Sequence, residues 1–399
     1  MNFSRPRQST LFTLNFFLLF LIVYFSFFST DLLIPVLPLY TIGLGGDELH
    51  VGLLAGLFYT CSIAFRPLLG RCANRYGLRP LLIFGAGFYS AAGLGLIFFP
   101  SLPAPYLFRS AQGIGLGGFL LAYNTLSINI APPSRKGESV GVLGVASMGS
   151  LATAPWLAEY LRGYGPGCRL FFGLTIAASL VSLVLSLIFS EPEIDREESA
   201  EVALPRFPGI ALLPSAAIFF PSLPLGATLT FLPLMGLQRS LSSIGVFFTV
   251  FALASAIIRP LAGLLSDRWG RLTILVPGLA IEFISVLLIA KAASNAQLLL
   301  GGFLFSAGMG LIYPSLIALT ADLLTPAERT TGIITFTMAY DLGQTTGSYL
   351  SGLMLLKLEY SGLYLLFAIV VLLPLILLPT LKQNAAHKRA ASSNPPHEF

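Results

Sequence analysis

Apolar runs of about 20 residues, the length that crosses roughly 30 Å of hydrocarbon, recur along this chain between short polar breaks. Twelve are expected, over residues 11–40, 50–70, 78–99, 104–130, 138–161, 169–190, 208–235, 243–265, 272–292, 298–322, 331–356 and 361–381. Backbone groups in lipid must be bonded within their own segment, so runs of this length are helices. Barrel strands would be about ten residues with alternating polarity. The mean hydropathy is +0.82 and only 10% of residues are charged, against about a quarter in soluble domains. The predicted fold class is an all-α integral membrane bundle of twelve transmembrane helices.

The chain also repeats itself. Arg66-Pro67-Leu68-Leu69-Gly70, followed by Arg71-Cys72-Ala73-Asn74-Arg75-Tyr76-Gly77, is answered 193 residues later. The answering segment is Arg259-Pro260-Leu261-Ala262-Gly263, then Leu264-Leu265-Ser266-Asp267-Arg268-Trp269-Gly270. The same offset pairs Pro133 with Pro326, Gly115 with Gly308 and Gly117 with Gly310, so nearly half the chain is duplicated. Two pseudo-symmetric six-helix bundles follow, an N-terminal one over 1–190 and a C-terminal one over 208–382. A charged cytoplasmic linker, 191–207, separates them, and a disordered tail is expected over 383–399.

Cytoplasmic loops carry an excess of Lys and Arg. Counting the amino terminus and every second loop collects fifteen of the 23 basic residues, among them Arg5, Arg7, Arg71, Arg75, Arg79, Arg268 and Arg271. Both termini are thereby predicted on the cytoplasmic side of a multi-pass plasma-membrane protein. Arg5 and Arg7 precede the first apolar run, but that run continues past Asp31 without a small-residue cleavage site, so a retained first helix is expected. The net charge of +5 is accounted for by topology, and no nucleic-acid partner is called for. Cys61, Cys72 and Cys168 are an odd number in three different environments and offer no disulfide framework.

Twelve helices in two parallel repeats, with a Gly- and Arg-rich turn after the second span of each, resemble the major facilitator superfamily. The resemblance covers roughly residues 10–382. It implies a substrate site near the midplane, between halves that rock against one another. The family's loop signature is matched in the second half by Gly263, Asp267, Arg268, Gly270 and Arg271. In the first half Gly70, Arg75, Gly77 and Arg79 match, but Asn74 stands where the family has Asp. The resemblance gives these loops the role of conformational latches, and Asn74 removes one latch charge. Span five of efflux members carries a glycine- and proline-rich pattern. Here the corresponding positions are Ser150, Ala154, Pro155 and Ala158, a degraded match that favours export.

Charges inside the spans are the candidate machinery. An arginine at mid-membrane costs about 2.5–3.5 kcal/mol on insertion scales and so faces a cavity or a carboxylate. Arg109 opens Arg109-Ser110-Ala111-Gln112-Gly113, which resembles a family motif of span four. At about 100° per residue, Arg109, Gln112, Leu116, Leu120, Tyr123 and Ser127 form one stripe, predicted to line the cavity. Asp31 of span one lies at similar depth and is the expected ion-pair partner of Arg109, able to exchange a proton. Asp341, near the middle of span eleven, shares a face with Gln344 and is a second proton or substrate candidate. Gly343, Gly347 and Ser351 form another face of that helix at the spacing that lets helices pack closely. Glu282 is expected to hydrogen-bond a neighbouring helix, Glu159 to be a solvated rim residue, and Arg66 and Arg259 to snorkel as structural residues.

None of the five lysines is followed by Ser or Thr, so no phosphate-binding loop is present. No Cys-His cluster has metal-ligand spacing. Neither enzyme chemistry, a metal nor a cofactor is therefore expected, and an ion gradient, best a proton gradient, is left as energy source. The expected function is proton-coupled efflux of small hydrophobic or amphipathic molecules by a monomer in the bilayer. Two alternatives stand beside it: uptake of a sugar or organic acid by symport, and a non-transporting membrane sensor.

Overall fold

The structure, a computed structural model, describes residues 11–163, 167–191, 208–325 and 328–393. Fourteen α-helices occur among them. They are α1 Leu14–Asp31, α2 Leu37–Gly43, α3 Glu48–Tyr76, α4 Arg79–Phe98, α5 Pro103–Asn129, α6 Lys136–Arg162 and α7 Cys168–Ile188 in the first half. The second half holds α8 Gly209–Gln238, α9 Ile244–Trp269, α10 Arg271–Ala290, α11 Asn295–Leu323, α12 Arg329–Leu355, α13 Tyr360–Val371 and α14 Pro374–Ser393. Two pairs, α1 with α2 and α13 with α14, are successive pieces of one crossing each, which gives the twelve crossings expected. Ten crossings are long and apolar enough to span a membrane by length and composition alone. The two that fall short are α5 and α12, the helices that carry Arg109 and Asp341.

A proline accompanies each interruption, Pro35 between α1 and α2 and Pro374 as the first residue of α14. Pro35 has no N–H to offer, and between α1 and α2 the backbone falls into tight turns, with the Leu33 N–H on Thr30 O and the Ile34 N–H on Asp31 O. Asp31 is thus the last residue of a helix instead of sitting inside a continuous span over 11–40. Pro374 breaks the last crossing in the same way, with the Leu372 N–H on Ile369 O. The expectation of a disordered tail is corrected: α14 continues to Ser393, because Gln383-Asn384-Ala385-Ala386-His387-Lys388-Arg389 contains good helix formers and no breaker. Asn394-Pro395-Pro396 and residues 192–207 lie outside the described residues.

Each half has its own core. One buried cluster joins Ala217, Phe231, Phe248, Phe305, Phe336 and Tyr364, all of the second half, with Val51 as its single buried contribution from the first. Another is confined to first-half residues from Leu11 to Phe189. The expected small-residue face of α12 packs on α8: a Cβ on Gly343 would come within 2.7 Å of Ser222 Cβ, and one on Gly347 would meet the backbone of Leu223.

The repeated turns have matching backbones, with φ of 95° at both Gly77 and Gly270, a region that is essentially open to glycine only. Their side-chain bracing differs. In the second half Arg271 reaches Asp267 and, at 3.1 Å, Asp322. In the first half Arg79 donates to Ser186 O at 3.2 Å and to Leu187 O. There the Glu191 carboxylate accepts the Leu78 and Arg79 N–H groups at 2.9 and 2.8 Å. Glu191 therefore belongs to the bundle and not to a solvated linker. Both braces tie a loop to its own half.

Candidate functional site

The seam between the halves is tight at one end and open at the other. At the end remote from the repeated turns, a Cβ on Gly52 of α3 would lie 2.7 Å from Ser348 O and 2.9 Å from Gly352 Cα of α12. Nearby, a Cβ on Gly245 of α9 would lie 2.6 Å from Pro155 O of α6. Thr60 and Tyr349 share a hydrogen bond of 3.1 Å, and Thr249 Oγ1 donates to Ala152 O at 2.6 Å. Toward the repeated turns the same helices part: a Cβ at Gly70, Gly141, Gly144 or Gly263 would meet nothing within 4 Å. The bundle is open on the side of the repeated turns.

Glu159 closes the tight end. Its Oε1 accepts the Ile244 N–H at 2.9 Å and its Oε2 the Gly245 N–H at 2.6 Å. A carboxylate of one half thereby caps the first turn of a helix of the other, where orphan N–H groups and the helix dipole favour an anion. The expectation of a solvated rim residue is overturned.

The predicted Asp31–Arg109 ion pair is not formed, and each residue has another partner. Asp31 Oδ2 accepts a 2.6 Å hydrogen bond from Ser150 Oγ, the first position of the degraded span-five pattern. Arg109 stacks over Phe58 at 3.9 Å from the ring centroid and donates to Gln112 Oε1 at 3.0 Å. A guanidinium on an aromatic face is partly compensated without a counter-ion. Its Nε and the Gln112 Nε2 have no partner among the described residues. Arg109 also borders a cavity of ≈ 40 Å³ on the seam, walled by Leu33, Ile34, Leu54, Tyr59 and, from the second half, Leu229 and Thr230. The rest of the predicted stripe turns away from the seam. Gln112, Leu116 and Ser127 are buried inside the first bundle, and only Leu120 and Tyr123 are partly open.

Asp341 does pair, with Arg66 of the opposite half, Nη2 to Oδ2 at 2.6 Å. This corrects the snorkelling assignment of Arg66. The signal for it was present in the cost of an arginine at that depth, but the symmetry of Arg66 with Arg259 suggested a structural role for both. Arg259 sits ten residues before the end of α9, about 15 Å along the helix, on the face that buries Ala252, Ser255 and Ser266, yet is itself exposed. It therefore faces the seam as well. Gln344 is buried, with its backbone against Gly226 of α8. In span five Ala154, Pro155 and Ala158 are buried, with Pro155 in the tight end. Glu282 is fully buried, faces Gly308 and has no hydrogen-bond partner for either oxygen among the described residues, so the expected hydrogen bond is not made. Asn74 and Asp267 make no hydrogen bond or ion pair across the halves among the described residues; Asp267 pairs with Arg271 of its own half.

Comparison with known proteins agrees with this architecture. The sequence pattern of the Major Facilitator Superfamily matches residues 19–239 and, a second time, 214–397. The multi-drug resistance efflux pump PmrA of Streptococcus pneumoniae is 25% identical over 346 residues, which cover 81% of this chain and 86% of that protein. The uncharacterized MFS-type transporter YfkF of Bacillus subtilis is 24% identical over 365 residues, 88% and 91% of the two chains. Among solved structures, that of the nucleoside transporter NupG has a TM-score of 0.75 at 14% identity, over 93% of this chain and 99% of its own. At that identity the likeness is one of fold.

Proposed function

Because the chain belongs to the major facilitator superfamily and is a multi-pass membrane transporter, we propose that it exports small hydrophobic or amphipathic molecules in exchange for protons. In this reading the two halves rock about the seam and expose it alternately to either side. The protein works as a monomer in the cell membrane with both termini cytoplasmic, and the open side described above faces the cytoplasm. The energy source is the proton gradient, and Asp31 and Asp341 carry the proton.

The observation that carries the reading is the 2.6 Å contact of Ser150 with Asp31. It joins the span-five pattern that resembles that of exporters to an intramembrane carboxylate, so a change in the proton on Asp31 is transmitted to α6, a helix of the tight end. The likeness to an efflux pump over most of the chain supports the direction. Arg66 gives Asp341 a partner in the opposite half, which ties the second carboxylate to the relative position of the halves.

The test is substrate-driven proton flux in everted vesicles, with a panel of amphipathic compounds whose cellular accumulation falls when the protein is present. Asp31→Asn and Asp341→Asn are each expected to lower the flux at least about tenfold, the scale of losing one charged partner in a dry site. Unchanged flux in both variants would sink the coupling assignment, and higher accumulation in expressing cells would reverse the direction.

A further inference from the structure

Six charged side chains border the seam: Arg66, Arg109 and Arg259 against Asp31, Glu159 and Asp341. Arg66 is held by Asp341, Arg109 by Gln112 and the Phe58 ring, and Asp31 by Ser150. Arg259 alone among these makes no hydrogen bond, ion pair or ring contact within the described residues. Its stem runs beside α11, with Cγ 3.9 Å from the position of a Cβ on Gly310. The guanidinium is exposed, about 15 Å from the end of its helix, which is farther than an arginine stem reaches to water at the membrane surface. The open seam is thus its solvent in this state.

The surroundings of Arg259 have a definite chemistry. Tyr313 stands one turn along α11 from Gly310, which the Arg259 stem flanks, and its ring centroid lies 5.0 Å from that of Tyr340 and 5.4 Å from that of Phe336. Aromatic faces and phenolic hydroxyls around one unneutralised guanidinium form a receptor for a planar anionic group on an apolar body. Arg and carboxylate or sulfonate match as a two-point fork. Arg259 is the one guanidinium of the seam without a partner among the described residues, so a ligand that carries one negative charge neutralises it.

We propose that Arg259 is the anion receptor of the transport cavity and that the substrates are amphipathic organic monoanions, a carboxylate or sulfonate on an aromatic or aliphatic body. The proposal rests on the transporter reading and narrows its substrate class. A neutral or cationic compound entering the seam leaves Arg259 desolvated when the halves close, whereas a monoanion neutralises it.

The test uses the full-length protein in phosphatidylcholine nanodiscs, which contain no anionic lipid, and three probes of one shape: 2-naphthoate, 2-naphthamide and 2-naphthylmethylammonium. Calorimetric titration of the wild type is expected to show naphthoate binding about tenfold or more tighter than either of the others. Arg259→Gln is expected to bring naphthoate down to the level of the amide, while Arg259→Lys, which keeps the charge, retains a preference for the anion. Melting of each variant, followed by intrinsic fluorescence, separates loss of a site from loss of fold. Equal affinities for the three probes, tighter binding of the ammonium, no binding of naphthoate at millimolar concentration, or an anion preference that survives in a folded Arg259→Gln would each overturn the proposal. Export of neutral or cationic compounds in the vesicle assay alongside such a result would leave the exporter reading standing without this substrate class.

Discussion

Glu159 shows how much a single side chain decides in a seam of this kind. Its two oxygens serve two N–H groups of the opposite half, and those bonds exist only while that end is closed. Capping of this type contributes about 1 kcal/mol, so Glu159→Gln, which removes the charge, is expected to shift the ratio of closed to open states of that end by roughly fivefold. Spin labels placed at Arg162→Cys and Ser240→Cys would read the shift as a longer distance population. An unchanged distance distribution would show that the cap carries no weight in the equilibrium. The intramembrane charges themselves were legible in the sequence, because lipid makes each of them expensive and so conspicuous. Their partners were not. Ser150 lies 119 residues from Asp31, and Asp341 lies 275 residues from Arg66. Depth in the membrane ranks such pairs, but only helix rotation chooses among them, and rotation follows from packing of the whole bundle.

At the level of elements, the twelve crossings followed from run length and hydropathy, and the repeat from spacing. The break after Asp31 escaped that reading because hydropathy is blind to backbone hydrogen bonds. Pro35 and Pro38 were the available signal, yet prolines are common inside membrane helices, and α8 continues through Pro214, Pro221, Pro224 and Pro233. Whether a proline breaks a helix or is absorbed depends on neighbours that re-satisfy the freed carbonyl, which a single sequence does not display. The two signature turns are more determinate. With φ of 95° at Gly77 and Gly270, alanine at either position is expected to cost roughly 1–3 kcal/mol, visible as a lower melting temperature of the purified protein in detergent. Equal costs in the two variants would mean that the braces around Glu191 and around Asp322 are equally stiff. A melting temperature unchanged in both would refute the strain argument.

Across the whole molecule, the close approach of α3 to α12 and of α6 to α9 is what seals one end, and it depends on residues with no side chain in the way. Gly52→Val is expected to hold the seam apart at that end, since even its Cβ would fall within 2.7 Å of Ser348 O, and so to lower transport at least about tenfold while the protein still inserts and folds. Gly144→Val, whose Cβ would meet nothing within 4 Å, is expected to leave the state described here intact. The comparison is made by transport rate together with accessibility of cysteines introduced at the sealed end to a membrane-impermeant reagent, and full transport by Gly52→Val would count against the seal. Arg66 and Arg259 occupy the same place in the two copies of the repeat, and what distinguishes them is found at one further position, where Asp341 stands against Met148. A duplication delivers two equal cations to the middle of the membrane, and one acidic substitution is enough to commit the first to a partner and leave the second vacant. Two halves of one repeated scaffold can therefore acquire a division of labour, one arm joined and the other receptive, without either having to invent a new scaffold.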